Sequence, residues 1–345
     1  MTDGGGDDGD GDAEDGGAET GTENADDVDE TVEGWTRDGD DELVLGTRGS
    51  ALAMAQTRAV QERLNVASRA ETVETTGDRF DDVDYQEIGG QGVFVRTIDE
   101  RVVAGDCDAA IHSMKDMPTD RHEDLAVAAV LPRVAAADAL VTPDGGTLDE
   151  LPGGAVVGTS SLRRRAQLRR QRSDLELADC RGNVDTRIAK MEDGDYDALV
   201  LSSAGLERLD VDAPRATLPP ERFVPSANQG IVAVVARDGS DAFEALRAAD
   251  DVPTRVVATA ERIVLDRVGG GCVAPMGVHA RIEGAEMRLV AEVLSRDGSE
   301  QVRVEEACSL EVYLEAAEQV ARTMVERGAR EIVNAAAVDD GDGGD

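Results

Sequence analysis

The segment with the greatest potential for binding chemistry is arginine-rich and runs from 162 to 172, with the sequence LRRRAQLRRQR. It follows a predicted strand and a Thr-Ser-Ser turn, so Arg163 and Arg164 lie at the start of a predicted helix. Free backbone N–H groups and the helix dipole favour an anion there, and the planar guanidinium suits bidentate contact with carboxylate or phosphate. We therefore predict that these two arginines bind an anion. The alternative is a solvated helix face paired with surface acids, which we favour for the later arginines, Arg169, Arg170 and Arg172.

A second candidate is the segment 110–118, with the sequence AIHSMKDMP. Lys115 is one of two lysines in a chain with 33 arginines, which indicates a need for a compact ammonium group at this position. Asp116 follows a predicted strand, where α/β sheets place ligand-binding groups. Taken alone, a Lys-Asp pair is equally typical of a protein surface, and His112 fits a structural histidine equally well.

The cysteines supply a third candidate. Cys107, Cys180, Cys272 and Cys308 show no CxxC spacing and no nearby histidine pairs, so we predict no metal site and no disulfide. Cys272 follows the glycines 269–271, which allow the backbone to approach a ligand closely, and a cysteine after them is accessible for thiolate chemistry. A flexible loop with an incidental cysteine explains the same pattern.

The net charge of the chain is −38, from 73 acidic and 35 basic residues. This charge argues against a nucleic-acid binder, because phosphates would be repelled. Residues 1–42 contain 18 acidic residues and a single arginine. Without this segment the chain still has a net charge of −21. We predict that 1–41 and the short acidic tail 338–345 are disordered, and that the acid excess with few lysines reflects adaptation to salt. No apolar run reaches the roughly 20 residues of a membrane span and no signal peptide is recognisable, so we expect a cytoplasmic protein.

From residue 42 onward the apolar residues alternate between strand and helix patterns. Short apolar runs predict strands at 43–45, 109–111, 126–131, 139–142, 155–157 and 198–201. Helical spacing predicts helices at 52–64, at 97–104, from about 162, and at 184–192. After residue 250 we predict one helix, three alternating stretches and a long helix, at 255–268, 277–282, 287–294, 301–307 and 310–334. This order indicates an α/β chain with mostly parallel sheets, followed by a small α+β domain.

Taken together, these segments resemble the porphobilinogen deaminases, also called hydroxymethylbilane synthases, over residues 42–335. The resemblance lies in seven motifs in order along the chain: LGTRGSALAMAQ at 45–56, GGQGVFV at 89–95, DAAIHSMKDMPT at 108–119, GTSSLRRRAQL at 158–168, RGNVDTRIAKMEDGDYDALVLSSAGLERL at 181–209, PSANQG at 225–230 and GGCVAPMG at 270–277. Chance agreement at seven ordered sites is negligible.

The resemblance implies two α/β lobes like those of periplasmic binding proteins, with mostly parallel sheets, and a small C-terminal α+β domain. We expect the first lobe at 42–131 and 230–248 and the second lobe at 134–226. The C-terminal domain, at 251–337, is expected to carry the cofactor cysteine.

The family joins four porphobilinogen units head to tail, releasing ammonia, to give hydroxymethylbilane in tetrapyrrole biosynthesis. The resemblance implies a dipyrromethane cofactor held by a thioether to Cys272, and Asp116 as the catalytic carboxylate. A carboxylate there stabilises the cation left when ammonia departs and assists proton transfer. Porphobilinogen is the expected partner of a monomeric enzyme, with no nucleic acid, membrane or metal.

The resemblance also assigns binding residues, which should gather positive charge because every added unit brings two carboxylates. Contacts to the cofactor and growing chain are expected from Ser113, Lys115, Thr159, Ser161, Arg163 and Arg164. Contacts to substrate are expected from Arg48, Ser50, Gln56, Arg181, Arg187 and Arg208.

Two positions depart from the family pattern. Gln91 stands where a lysine is common, beside a lid segment that includes Phe94, and Asn228 replaces the first glycine of a GQG motif. A different class of protein also fits the architecture. It is a two-lobed module that binds an anionic solute without catalysis, and it needs no covalent group on Cys272.

Overall fold

The computed structural model of the chain describes Met1 and residues 42–73, 92–269 and 274–338. Apart from Met1, these residues belong to one structural unit, Gly34–Asp345. Cys272, Gln91, the predicted tail 1–41 beyond Met1, and residues 339–345 lie outside the described residues.

The described residues form strands and helices that alternate along most of the chain. The strands are β1 (Leu43–Thr47), β2 (Ser68–Thr72), β3 (Ala109–Ser113), β4 (Leu125–Val130), β5 (Asp138–Val141), β6 (Val156–Gly158), β7 (Glu176–Ala178), β8 (Ala198–Ser202), β9 (Arg215–Leu218), β10 (Val232–Arg237), β11 (Met276–Glu283), β12 (Glu286–Leu294) and β13 (Gln301–Ser309). The helices are α1 (Ala51–Gln61), α2 (Val93–Ala104), α3 (Leu162–Gln171), α4 (Val184–Glu192), α5 (Ser203–Arg208), α6 (Asp241–Leu246), α7 (Val252–Val268), α8 (Tyr313–Glu326) and α9 (Ala329–Val338).

Two five-stranded sheets form the centres of two lobes. The first lobe has the strand order β2-β1-β3-β10-β4, and the second lobe has the order β7-β6-β8-β5-β9. Because β10 follows β9 in the chain yet lies in the first sheet, the chain crosses between the lobes twice. The predicted fold class, two α/β lobes and a small C-terminal α+β domain, is confirmed.

The expectation of mostly parallel sheets is corrected in detail, because both sheets are mixed. In the first sheet β1 runs parallel to β2 and β3, whereas β10 runs antiparallel to β3 and β4. The second sheet repeats this division, with β6 parallel to β7 and β8, and β5 antiparallel to β8 and β9. The reversed strands are the ones that follow a crossing between lobes, a long-range feature that local patterns do not report.

The central strands are apolar throughout because helices cover both faces of each sheet. Along β10, Val232 and Val234 join one hydrophobic cluster while Ala233 and Val235 join another on the opposite face. This alternation follows from the two-residue period of a strand. Every residue from 231 to 236 is therefore fully buried.

The C-terminal domain packs the antiparallel sheet β11-β12-β13 against α7, α8 and α9 around one hydrophobic cluster. Its predicted long helix at 310–334 is wrong, because α8 and α9 are separate helices. Gly328 lies between them with φ of +90°, a left-handed conformation that ends a helix. α7 begins three residues before the predicted Arg255, since the Asp251 side chain accepts a hydrogen bond from Thr254 N at 2.9 Å and caps it.

Among the helices of the described residues, none is both long and apolar enough to cross a bilayer.

Candidate active site

Asp116 lies on a short turn at the carboxyl end of β3. The residues Met114–Asp116 form a single 3-10 turn that is closed by Met117 N donating to Met114 O at 3.3 Å. Met114 N also donates to Ile231 O at 3.0 Å, which ties the turn to the start of β10. Met114 is buried, Lys115 is half-buried and Asp116 is exposed. The turn therefore presents the Asp116 carboxylate to solvent from a rigid central strand.

Lys115 lies close to charges on the second lobe. Burial lowers the pKa of its ammonium, and the positive charges of Arg164 and Arg163 lower it further, while Asp116 and Asp138 act in the opposite direction. The turn after β3 and the start of α3 are thus near enough to interact electrostatically. That Lys115 and the two arginines serve one site stays a prediction.

Arg163 and Arg164 meet at a buried carboxylate that the sequence did not single out. Asp138, the first residue of β5, is 1% exposed and accepts from Arg163 Nη2 at 2.8 Å and from Arg164 Nη2 at 2.7 Å. Gln229 Nε2 donates to the same carboxylate at 2.9 Å. Burial alone raises the pKa of Asp138, but the charges and hydrogen bonds of the two arginines outweigh it and hold the pKa well below its usual range.

The two arginines differ in what they leave available to a ligand. Arg163 is 3% exposed, and its other donors reach Ser226 Oγ, Gln167 Oε1 and Val224 O, each at 3.0 Å. Arg164 Nη1 donates to a backbone carbonyl of β8 at 2.9 Å, but its buried Nε has no hydrogen-bond partner within the described part of the chain. A buried donor of this kind costs stability unless an acceptor reaches it. Arg164 thus fits an anionic ligand better than Arg163 does.

The hydroxyls before α3 hold the start of the helix. Ser161 is the N-cap, and its Oγ accepts from Arg164 N at 3.5 Å. Thr159 is 2% exposed, and its Oγ1 accepts from Ser161 N at 3.3 Å. On the first lobe, Ser113 ends β3 one residue before the Met114–Asp116 turn. These hydroxyls and the helix N-terminus lie on the segments that carry Lys115 and the two arginines.

The prediction of a solvated face for the later arginines of α3 is wrong for two of them. Arg169 Nη1 and Arg170 Nη1 donate at 2.7 and 3.0 Å to backbone carbonyls in the turn Arg296–Gly298 of the C-terminal domain. For Arg172 the prediction holds only in part: it pairs with the exposed Asp174 at 2.8 Å, but its Nη1 and Nη2 also donate to the backbone carbonyls of Leu148 and Leu151 at 2.6 and 2.9 Å. The C-terminal half of α3 is therefore a contact between domains, which a helix pattern alone does not reveal.

Two of the predicted substrate residues of the first lobe, Arg48 and Ser50, lie in the segment between β1 and α1, and Gln56 lies on α1. The guanidinium carbon of Arg48 is 4.2 Å from the centroid of the Phe94 ring, which is a cation–π contact. Ser50 Oγ accepts from Ala53 N at 3.3 Å and caps α1. Gln56 is buried within α1.

The predicted substrate residues of the second lobe are more exposed. Arg181 is exposed and Arg187 is half-buried, and Arg187 Nε donates to Gly182 O at 2.7 Å. Arg208 ends α5, and its Nη2 donates at 2.8 Å to Gly230 O in the segment that returns to the first lobe. Burial lowers the pKa of Arg208. The described contacts connect Arg208 to the crossing between lobes, whereas Arg187 lies on α4 and Arg181 precedes that helix.

Asn228 compensates structurally for the glycine that it replaces. Its φ is +61°, in the left-handed region that asparagine tolerates better than most side chains. Its backbone N donates to Glu261 Oε2 at 2.6 Å, and its Nδ2 donates to Ala258 O at 3.1 Å. The side chain thus adds a contact to α7 that glycine lacks.

Asp138 and Gln229 are the site residues that sequence reasoning missed. The available signal was an acid that opens the buried run 138–141, since a buried carboxylate needs a cationic partner. The sequence does not report which cations meet it, because Arg163 and Arg164 are 25 and 26 residues away along the chain.

Asp138 provides a test of this network. We expect Asp138→Asn to destabilise the protein by about 3 kcal/mol, because two buried guanidinium groups lose their counter-charge. The native pKa of Asp138 lies below the unfolded value, so its contribution is complete above about pH 4 and decreases as pH falls towards the native pKa. Urea unfolding at several pH values should show the wild-type advantage shrinking on acidification. Asp174→Asn removes an exposed carboxylate that pairs with Arg172, and it should change the midpoint much less.

Comparisons with known proteins place the chain in a family. Residues 43–245 match the family model described as porphobilinogen deaminase, dipyromethane cofactor binding domain, and residues 256–327 match the model of the porphobilinogen deaminase C-terminal domain. A probable porphobilinogen deaminase of Methanococcoides burtonii is 44% identical over 300 residues, which covers 85% of this chain and 97% of that protein. A porphobilinogen deaminase of a Roseiflexus species is 44% identical over 263 residues, covering 74% and 87% respectively.

Among solved structures, substrate-binding domain 2 of Lactococcus lactis GlnP in an open conformation is similar at 11% identity and a TM-score of 0.37, covering 62% of this chain and 89% of that one. The family matches extend over both lobes and the C-terminal domain. The chain therefore belongs to the porphobilinogen deaminase family.

Proposed function

We propose that this chain joins porphobilinogen units head to tail on a dipyrromethane cofactor held by Cys272, releasing ammonia and building hydroxymethylbilane. Membership of the family makes polymerisation of porphobilinogen, a transferase reaction of tetrapyrrole biosynthesis, the activity of the chain. The observation that carries the site assignment is the buried Asp138 carboxylate, which fixes Arg163 and Arg164 at 2.8 and 2.7 Å at the start of α3.

The charge of the site suits the substrate. Each porphobilinogen unit carries an acetate and a propionate, so a growing chain is a polyanion. In a protein with a net charge of −38, binding it requires cations gathered locally. Lys115 and Arg164 supply such charge on opposite lobes, and Arg164 Nε, which no described residue accepts from, offers a donor to one of these carboxylates.

The residues at the site also fit the cofactor. When bound, the dipyrromethane supplies the pyrrole end to which units are added. We propose that Ser113, Lys115, Thr159, Ser161 and Arg164 contact it, and that Arg163 contributes chiefly by fixing Asp138 and the segment 224–226. Arg48, Ser50, Gln56, Arg181, Arg187 and Arg208 are the proposed contacts to substrate units.

Asp116 is the proposed catalytic carboxylate. Breaking the C–N bond of the aminomethyl group releases ammonia and leaves a cation on the substrate. An exposed carboxylate on a fixed turn stabilises that charge and accepts a hydrogen bond from the pyrrole N–H. The aminomethyl group leaves as ammonia from its protonated form, and the same carboxylate then accepts the proton that the attacked pyrrole carbon releases.

We further propose that the chain is a cytoplasmic monomer with the domain boundaries predicted above. The two segments of the first lobe are supported by β10, which completes the first sheet from residues 232–237. The family models divide the chain near the proposed start of the C-terminal domain at 251.

The activity is tested by incubating the purified protein with porphobilinogen and measuring ammonia and linear tetrapyrrole together. We expect one ammonia for each unit consumed. Saturable binding of porphobilinogen without ammonia release would instead indicate the anionic-solute-binding module.

The proposed adaptation to salt leads to a separate prediction. The residues outside 1–42 carry a net charge of −21, and repulsion among these charges destabilises the folded state at low ionic strength. Salt screens this repulsion, since the Debye length falls from about 10 Å at 0.1 M to about 3 Å at 1 M. We expect the melting temperature and the turnover both to rise towards molar salt, the melting temperature more steeply. Substrate contacts in a partly desolvated cleft lose less to screening.

The control for the salt series is a chain that lacks residues 1–40. We expect the melting temperature of the shortened chain to keep most of its salt dependence, because most of the remaining excess of acidic residues lies in the part of the chain that the structure describes. A melting temperature that stays flat or falls as salt rises would contradict the adaptation, although not the enzymatic assignment.

A further inference from the structure

Arg262 connects the C-terminal domain to the segment that follows Asp116. It lies on α7, and its Nη2 donates to Pro118 O at 2.6 Å while its Nη1 approaches Met117 O at 3.4 Å. One guanidinium thus reaches two consecutive backbone carbonyls of the first lobe. These carbonyls come immediately after the proposed catalytic carboxylate in the chain.

The turn of Asp116 depends on contacts from both of its ends. On the N-terminal side, Met114 N donates to Ile231 O at 3.0 Å, which fixes the turn to the central sheet. On the C-terminal side the chain reaches Pro118, which has no N–H to donate to a neighbouring element. The carbonyls bound by Arg262 are therefore well placed to anchor that end.

A pocket of about 390 Å³ lies between the turn and α7. It is lined on the first lobe by Met114, Thr119 and residues of β4, and on α7 by Arg255, Arg262 and Ile263, among others. Protein interiors resist displacement because atoms are close-packed, and a void supplies no such contacts. Met114 and Met117 are buried in the core of the first lobe, but the pocket leaves the side of the turn that faces α7 without close packing, and the guanidinium spans that space.

We propose that Arg262 is a positioning residue that holds the Asp116 carboxylate in its catalytic location by clamping the carbonyls of Met117 and Pro118. The proposal rests on the proposed function of Asp116. It also gives α7 a role in the reaction, since this helix ends at Val268, four residues before Cys272 in the sequence. One helix then connects the segment that carries the cofactor cysteine to the turn that carries the carboxylate.

The same helix supplies a matched control. Arg255, two turns earlier on α7, donates through Nη2 to the consecutive carbonyls of Val127 and Ala128 at 3.3 and 2.9 Å. It also pairs with Asp250 at 2.6 Å. Like Arg262 it joins α7 to the first lobe through backbone carbonyls, but it reaches β4 and not the catalytic turn. A merely structural role predicts that both arginines behave alike.

The test compares Arg262→Leu with Arg255→Leu in the cofactor-loaded full chain. Melting temperature, cofactor occupancy by intact mass, and kcat and KM per loaded molecule are measured for both. We expect Arg262→Leu to lower kcat roughly 10- to 100-fold, the effect of a displacement of about 1 Å in a catalytic group, with KM changed less than about threefold. Arg255→Leu should lower the melting temperature at least as much and keep kcat within about threefold of wild type. Equal kcat values in the two variants would overturn the clamp.

Rescue distinguishes positioning from folding if Arg262→Leu proves unstable. Arg262→Lys keeps a cationic donor and should retain more activity than Arg262→Leu, but less than wild type, because an ammonium does not bridge two carbonyls as a planar fork does. Arg262→Ala should recover kcat when methylguanidinium is added, since the pocket admits it, whereas Asp116→Ala should not. Absence of rescue in both Arg262 variants, at unchanged melting temperature, would overturn the clamp. Wild-type protein without ammonia release in the same assay would overturn the proposed function, and the clamp with it.

Discussion

Replacing Cys272 with alanine is expected to abolish both cofactor attachment and turnover. Without the thiol no thioether forms, and the growing chain has no covalent anchor. The measurement is the intact mass of the purified variant together with ammonia release from porphobilinogen. We expect the mass of the unmodified polypeptide and no detectable turnover.

The other cysteines are the controls for this prediction. Burial raises the pKa of the thiols of Cys107, Cys180 and Cys308, which keeps them protonated and makes them poor nucleophiles. Alanine at each of these positions should leave the cofactor mass in place and cause only packing losses. Cofactor that remains covalently bound to Cys272→Ala would show that the attachment residue is another one.

Asp116→Ala should keep the fold and the covalent cofactor but lose nearly all catalysis. Removing a charge that faces a developing cation raises the barrier by about 4 kcal/mol, which corresponds to a loss of about 1000-fold in kcat. The Asp116 side chain is exposed, so its removal should leave the melting temperature close to that of wild type. The measurements are kcat on cofactor-loaded protein and the thermal midpoint.

Two further variants sharpen the Asp116 prediction. Asp116→Glu keeps the charge but moves it by one methylene, and an intermediate kcat is expected from a role that depends on position. Asp120→Ala removes another exposed acid four residues later, and its kcat should stay within about threefold of wild type. Near-normal turnover by Asp116→Ala would contradict the assigned role.

The parts of the fold with strong local signals were predictable. The predicted bounds of α4 agree with the structure, because the residues follow helical spacing and a glycine with a positive φ comes just after the helix. The strand that ends before Lys115 was predictable in the same way, from a short apolar run. Such features depend on a few neighbouring residues, which a single sequence displays directly.

Features that depend on distant parts of the chain were missed. The antiparallel placement of β10 requires a return from the second lobe, and the contacts of Arg169 and Arg170 require the C-terminal domain to be packed on α3. From the sequence alone, Asp138 is an ordinary acidic residue before a predicted strand, because its cationic partners are not known. In each case the contact that determines the structure is made with a distant segment. A local sequence pattern does not report which segment that is.

The central claim is that this chain extends a covalently attached pyrrole chain, and intact-mass spectrometry tests it most directly. The purified protein should carry an addition equal to two linked pyrrole units, located by digestion on the peptide that contains Cys272. Brief exposure to limiting porphobilinogen should then give a ladder of species, each heavier by one unit that has lost ammonia. A single unmodified mass before and after exposure, from protein that still binds porphobilinogen, would contradict the account.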